Sequence, residues 1–171
     1  YLGGGLSTGR TITDNCEVIQ DSPQKPFCRV SPPFWQPQVK VYGTYPLPQQ
    51  FQLSLTYQTL QGIPIAASYS ATLAEIRPTL GRPLAGRVTS VVIDNLFEPN
   101  QQFEGRVNQM DLRITRTFRY GRVQINPRFD IYNMLNASPI LAINTRFGPT
   151  WLQPAQILDA RLLKFEVQVQ F

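Results

Sequence analysis

The sequence contains no histidine. Without it, no Ser-His or Cys-His catalytic pair exists in the chain. Charge is also scarce: 16% of residues are Asp, Glu, Lys or Arg, against about 25% in soluble domains. Gln, Asn, Ser and Thr stand in their place, which suits a wet interior or an extracellular face. The net charge of +5 comes from scattered residues with no lysine run, and nucleic-acid binding, which needs a clustered basic face, is not expected. No apolar stretch approaches the ~18 residues of a transmembrane helix. This does not exclude a membrane barrel, whose strands are short and only half apolar. A charged leader followed by an apolar core is missing, and the start at Tyr1 reads as a processed or cut end.

Cysteine is limited to Cys16 and Cys28. The segment between them, 17–27, holds two prolines and no strand pattern, so a disulfide closing the loop is the natural reading in an oxidising compartment. A zinc site is not expected, because there is no second cysteine pair. Gly3-Gly4-Gly5 lacks the strand and helix of a phosphate loop and reads as a flexible lead-in. Asp111 and Asp130 are the one carboxylate pair worth weighing for glycoside hydrolysis. Each has an arginine nearby in the hairpin proposed below, which favours structural ion pairing. Trp35 and Trp151 lie among prolines in loops and are assigned to loop packing or an aromatic belt. The chain is therefore not expected to be an enzyme or to need a cofactor.

What is abundant is alternation. The first 37 residues read as loop, broken by Gly3-Gly4-Gly5, Asp14-Asn15, Ser31-Pro32-Pro33 and Pro37. Val39, Val41 and Tyr45 then alternate with polar neighbours until Pro46-Leu47-Pro48. Phe51, Leu53, Leu55 and Tyr57 alternate with Gln52, Ser54, Thr56 and Gln58. Residues 63–106 read as a long excursion with its own hairpin, from short strands near 67–73 and 88–93. Met110, Leu112, Ile114 and Phe118 form one face of 107–119, and Gln109, Asp111, Arg113, Thr115 and Thr117 the other. Tyr120-Gly121-Arg122 is a tight turn into 123–133. Pro127 inside that strand calls for a bulge. A loop spans 134–157, and a last strand carries Leu163, Phe165, Val167, Val169 and Phe171 on one face, with Lys164, Glu166, Gln168 and Gln170 on the other.

This predicts an all-β antiparallel meander of long strands, part of an outer-membrane-type β-barrel. Apolar residues at every second position would encircle a helix instead of striping it. Strands of ten to thirteen residues match the ~9–11 of a tilted membrane span better than the usual ~5–6. Links at 46–50 and 120–122 are short, whereas 1–37, 63–106 and 134–157 are long, as in barrels with short periplasmic turns and long extracellular loops. Placing Phe171 at the periplasmic rim puts the 120–122 turn in the periplasm and the Cys16–Cys28 loop outside the cell. Gly121 at the first central position suggests a type II′ hairpin. That turn sets Arg113 opposite Asp130 on the lumen face and Ile114 opposite Phe129 on the lipid face.

The ending Leu158 to Phe171 resembles the terminal strand of outer-membrane barrel proteins. The resemblance implies that Phe165, Val167, Val169 and Phe171 form the signal read by the barrel-assembly machinery. Arg106-Val107-Asn108-Gln109-Met110-Asp111-Leu112-Arg113 and Asn126-Pro127-Arg128-Phe129-Asp130-Ile131-Tyr132-Asn133-Met134-Leu135-Asn136 are similar to the C-terminal region of TonB-dependent receptor-like proteins. The likeness is to the large acidobacterial type with an N-terminal carboxypeptidase-regulatory-like domain, which Asp14-Asn15-Cys16, Cys28 and Leu80-Gly81-Arg82-Pro83-Leu84 also resemble. It implies a segment of a nutrient transporter with a plugged barrel of ~22 strands, located in the bacterial outer membrane. Its partners would be membrane lipid, the remaining N-terminal strands and the plug. The plug and the TonB-contacting segment are N-terminal in that family, so no transport residue carries over to this chain.

Two further readings remain. Even a small closed barrel needs ~8 strands, more than are counted here, and open sheet edges recruit other strands. A processed fragment that pairs with copies of itself into an extracellular oligomer or filament is the alternative. A soluble carbohydrate-binding β-sandwich is the third.

Overall fold

The computed structural model describes residues 1–18, 25–32 and 35–171, with Arg87 described in its backbone only. Half of the predicted disulfide loop, 19–24, and Pro33 of the Ser31-Pro32-Pro33 break lie outside the described residues. The chain forms a seven-stranded antiparallel sheet. Its strands are β1 (Leu2–Ser7), β2 (Gln38–Leu47), β3 (Phe51–Leu60), β4 (Val107–Arg116), β5 (Phe118–Tyr120), β6 (Val123–Tyr132) and β7 (Leu162–Gln170). The order is β1-β2-β3-β4-β6-β7, with β5 continuing the line of β4 alongside β6. The sheet is open, and β1 and β7 are its edges.

The hairpin register is the predicted one. Tyr120 pairs with Val123 around a two-residue turn in which only Gly121 has positive φ, at 59°. From that turn the pairing places Arg113 opposite Asp130 and Ile114 opposite Phe129. On the far side of β6, Phe129 faces Phe165 and Pro127 faces Val167 without a break. One register runs through the β4–β6 pair, and the predicted bulge at Pro127 is not there. The ladder is interrupted instead: Arg128 pairs with Thr115 and Ile125 with Phe118, and the residues between are unpaired on that side. Pro127 has no N–H to offer, and the Thr117 N–H turns to the Gln50 carbonyl at 3.1 Å.

Four other expectations need correcting. The first 37 residues are not all loop: Leu2–Ser7 is an edge strand paired with 38–43 of β2. Its glycines are close-approach positions. A Cβ on Gly3 would sit 2.8 Å from the Tyr42 ring, and one on Gly4 would sit 2.9 Å from the Lys40 carbonyl oxygen. Strand β2 runs through Pro46 to Leu47, and the turn is 48–50, with Gln49 and Gln50 both at positive φ. A proline there is tolerated because β2 is short of partners at its end, where Tyr1 and Thr44 make the last bonds to β1. The excursion 63–106 does carry a hairpin, Tyr69–Thr72 with Ser90–Ile93, but a helix, Leu73–Leu80, lies inside it. Glu75 caps that helix by accepting the Thr72 N–H at 2.7 Å, and Gly81 ends it in the left-handed region. The predicted loop 134–157 likewise holds a small ladder, Ile140–Ile143 with Pro154–Ile157.

All the long connections leave one end of the sheet, and 48–50 and 121–122 close the other. The long connections bind one another through backbone. Ser68 donates to the Thr145 carbonyl (2.8 Å) and accepts from Phe147 N–H (2.7 Å), and Trp151 Nε1 donates to the Ala66 carbonyl (3.0 Å). Trp151 also packs against Phe97 and Phe147, so loop packing is its role. Cys16 and Cys28 form the predicted disulfide.

Candidate functional site: a sheet with its polar side buried

Register and alternation together sort the side chains. Leu163, Phe165, Val167 and Val169 of β7 lie opposite Ile131, Phe129, Pro127 and Ile125 of β6. Those continue to Leu112 and Ile114 of β4, and through them to Leu55 and Leu53 of β3. Tyr45 opposes Leu53, and Gly43 links Leu55 to Leu2 of β1. One continuous apolar face therefore crosses the whole sheet.

That face is not a core. Phe165 is 80% exposed and Val167 63%, and Leu2, Leu6, Leu163 and Val169 are exposed as well. Among the described residues the only buried apolar side chains are Pro32, Ala67 and Val107. The buried polar ones are Asn126, Asp130 and Asn133. The few fully buried side chains are as polar as they are apolar, unlike an ordinary core, and the central strands are half-buried on both faces.

On the opposite face, hydrogen-bonding side chains link β2, β3, β4, β6 and β7 in turn. Thr44 and Ser54 hydroxyls meet at 3.1 Å between β2 and β3. Gln58 Nε2 donates to Gln109 Oε1 at 3.0 Å between β3 and β4. Between β4 and β6, Arg113 grips Asp130 with two parallel bonds, Nε to Oδ1 at 2.6 Å and a terminal nitrogen to Oδ2 at 2.9 Å. Tyr132 hydroxyl donates to the same carboxylate at 3.3 Å. Between β6 and β7, Arg128 reaches Glu166 at 3.4 Å and donates to Gln168, and Lys164 bonds Glu166 at 3.0 Å. A bidentate arginine–carboxylate pair fixes both planes, and Asp130 is 3% exposed at its side chain against 42% for Arg113. The predicted lumen-face pair is thus brought together.

Asp111 does not join Asp130 as a catalytic carboxylate. It accepts from Gln109 Nε2 and from the Asn133 N–H at 2.8 Å, while Asp130 is occupied by Arg113. A shallow hollow over this cluster is lined by Ser54, Thr56, Asp111, Arg113, Asp130 and Tyr132. Its hydroxyls, carboxylates and guanidinium offer hydrogen bonds to water or a polar solute and contain no nucleophile–base pair. Among the described residues no group of His, Cys, Asp or Glu is arranged to hold a metal.

Two structural residues escaped the sequence reading. Asn133 is buried at positive φ, and its amide bonds the carbonyls of Ala137 and Asp159 at 2.8 Å each, locking the exit of β6 to the entry of β7. Arg106 bonds the Pro37 carbonyl at 2.6 Å and the Thr59 and Gln61 side chains, tying the entries of β2 and β4 to the exit of β3. The signal at 133 was Asn between an aromatic strand and a small polar loop, a usual place for left-handed backbone. The carboxy-terminal residues Phe165, Val167, Val169 and Phe171 share one exposed stripe. No family model, no curated protein and no solved structure matches this chain.

Proposed function

We propose that this chain is a membrane-spanning portion of an outer-membrane β-barrel, of the TonB-dependent receptor-like transport type suggested by its C-terminal residues. The observation that carries the reading is the two-sidedness of the sheet: a continuous apolar face with no core packed over it, fully open at Phe165 and Val167, and a cross-bonded polar face. Lipid outside and water inside is the environment in which that distribution is stable.

Dimensions support it. Strands β2, β3, β4 and β6 have ten residues each. At a rise of about 3.3 Å and a tilt of about 40°, such strands climb about 25 Å, the height of the apolar band of these barrels. Five strand-to-strand steps of about 4.8 Å across that height give an apolar face on the order of 600 Å², at the upper end of what soluble monomers expose. The division of connections into short and long ends fits the periplasmic and extracellular sides of such a barrel. Further strands would complete the wall, and Phe165, Val167, Val169 and Phe171 would be presented to the assembly machinery.

The two open edges favour a second reading, in which copies of the chain pair β7 to β1 into an extracellular oligomer or filament. Size measurement of the purified 171-residue chain with and without detergent separates the two. Solubility only in micelles is expected for the barrel portion, and large detergent-free assemblies for the filament. A monodisperse detergent-free monomer overturns both.

A further inference from the structure

We propose that the short-turn rim of the sheet is a binding site for the phosphate of phospholipid headgroups, centred on Arg116. The proposal rests on the membrane reading above and adds a ligand and a place to it.

The arginines of the sheet fall into two kinds. Within the strands, Arg113 and Arg128 are paired with Asp130 and Glu166. At the rim, Arg116, Arg119 and Arg122 make no ion pair among the described residues. They have no side-chain carboxylate to find: 44–53, 114–125 and 167–171, the segments that meet at this end, contain three arginines and neither Asp nor Glu. An anion to match them must come from outside the sheet.

The position of Arg116 says which anion. By register it lies opposite Phe51 and two residues before Phe118, on the apolar face. A guanidinium on a lipid-facing surface is tolerated only where it reaches the headgroup layer. Arg116 does so from the last residue of β4, lying 4.7 Å from the centroid of Phe51 and 4.5 Å from that of Phe118. Stacking on rings holds the planar cation without using its N–H donors, which stay free for a phosphate. Gln50 borders the same hollow as Arg116, and exposed Tyr120 lines it at the level where aromatic side chains meet the membrane interface; Arg119 meets it from the polar face. A phosphate tethered at the acyl boundary sits at that depth; a free anion has no reason to.

The full chain in neutral maltoside micelles, titrated with fluorescently labelled phosphatidylglycerol, tests this by anisotropy. Saturable binding is expected, with no binding of a labelled diacylglycerol that lacks phosphate. The R116Q variant should bind roughly fivefold more weakly, the worth of one cation near an anionic surface. R116K keeps the charge without the planar group that lies on the rings and should bind more tightly than R116Q. R146Q, at the loop end, should bind as the native chain does. Equal binding by native and variant chains with unchanged circular dichroism overturns the proposal, as does displacement of the lipid by millimolar inorganic phosphate, which would mark a free-anion site. Failure of the membrane reading is read separately, as a soluble monomer without detergent.

Discussion

Removing Arg113 should damage the protein more than removing Asp130, although the two make the same bonds. The asymmetry comes from what each deletion leaves behind. In Arg113→Ala, the Asp130 carboxylate, 3% exposed in the native pair, keeps only the Tyr132 hydroxyl at 3.3 Å and the water that the missing guanidinium admits. A buried charge stripped of its partner costs about 3–5 kcal/mol. In Asp130→Ala, the guanidinium that remains is 42% exposed, so water replaces most of what is lost. The loss then approaches that of a charged hydrogen bond, about 1.5–3 kcal/mol, reduced further by screening. The double variant leaves no orphan and should lie closer to Asp130→Ala than to Arg113→Ala. Urea unfolding in micelles, followed by tryptophan fluorescence and circular dichroism, measures all three. If Asp130→Ala proves the more destabilising, or the two singles are equal, the assignment of a buried carboxylate and a wetted guanidinium is wrong.

Three other outcomes follow from the geometry. Phe165→Lys, at an 80% exposed position, should be nearly neutral in a water-facing sheet, within about 0.5 kcal/mol, but should weaken folding into bilayers by about 2–4 kcal/mol if lipid covers that face; vesicle-refolding yields against urea decide. Gly4→Val places a Cβ 2.9 Å from the Lys40 carbonyl oxygen and should release β1, raising amide hydrogen exchange in 38–43 while leaving β6 and β7 protected. The Glu75 carboxyl, held below its ordinary range first by the Tyr69 hydroxyl and then by the backbone and side chain of Thr72, stabilises its helix while ionised. The contribution is full above the unfolded value of about 4.3 and disappears as pH falls through the lower folded one. Glu75→Gln should remove that acid dependence from exchange rates in 73–80.

The sheet was legible where two local signals agreed. Gly121 fixed a two-residue turn and alternation fixed the faces, and together they placed Arg113 against Asp130 across seventeen residues. Where one signal was silent the reading stopped short. Leu2–Ser7 has three glycines and so no alternation; its pairing depends on the Tyr42 ring and the backbone of β2, which its own residues do not describe. The helix 73–80 had its cap residues in plain sight, Thr72, Glu75 and Gly81, but Pro78, sixth in the helix, lacks the N–H that would reach the Ala74 carbonyl and so argues locally against one. Pro127 suggested a bulge because sequence alone cannot show that an interrupted ladder costs less than a shifted one. The knitting of the loops by Trp151, Asn133 and Arg106 depends on partners far along the chain and left no periodic trace.

Every pair of neighbouring strands in this sheet is also a pair of neighbours along the chain, apart from the short β5. Such an arrangement has no strand to thread between two others. It can grow outward from the 121–122 hairpin, the shortest closure of all, each new strand docking on one already in place. Chain left unfinished at the β1 side would still present a complete ledge for the next strand to land on.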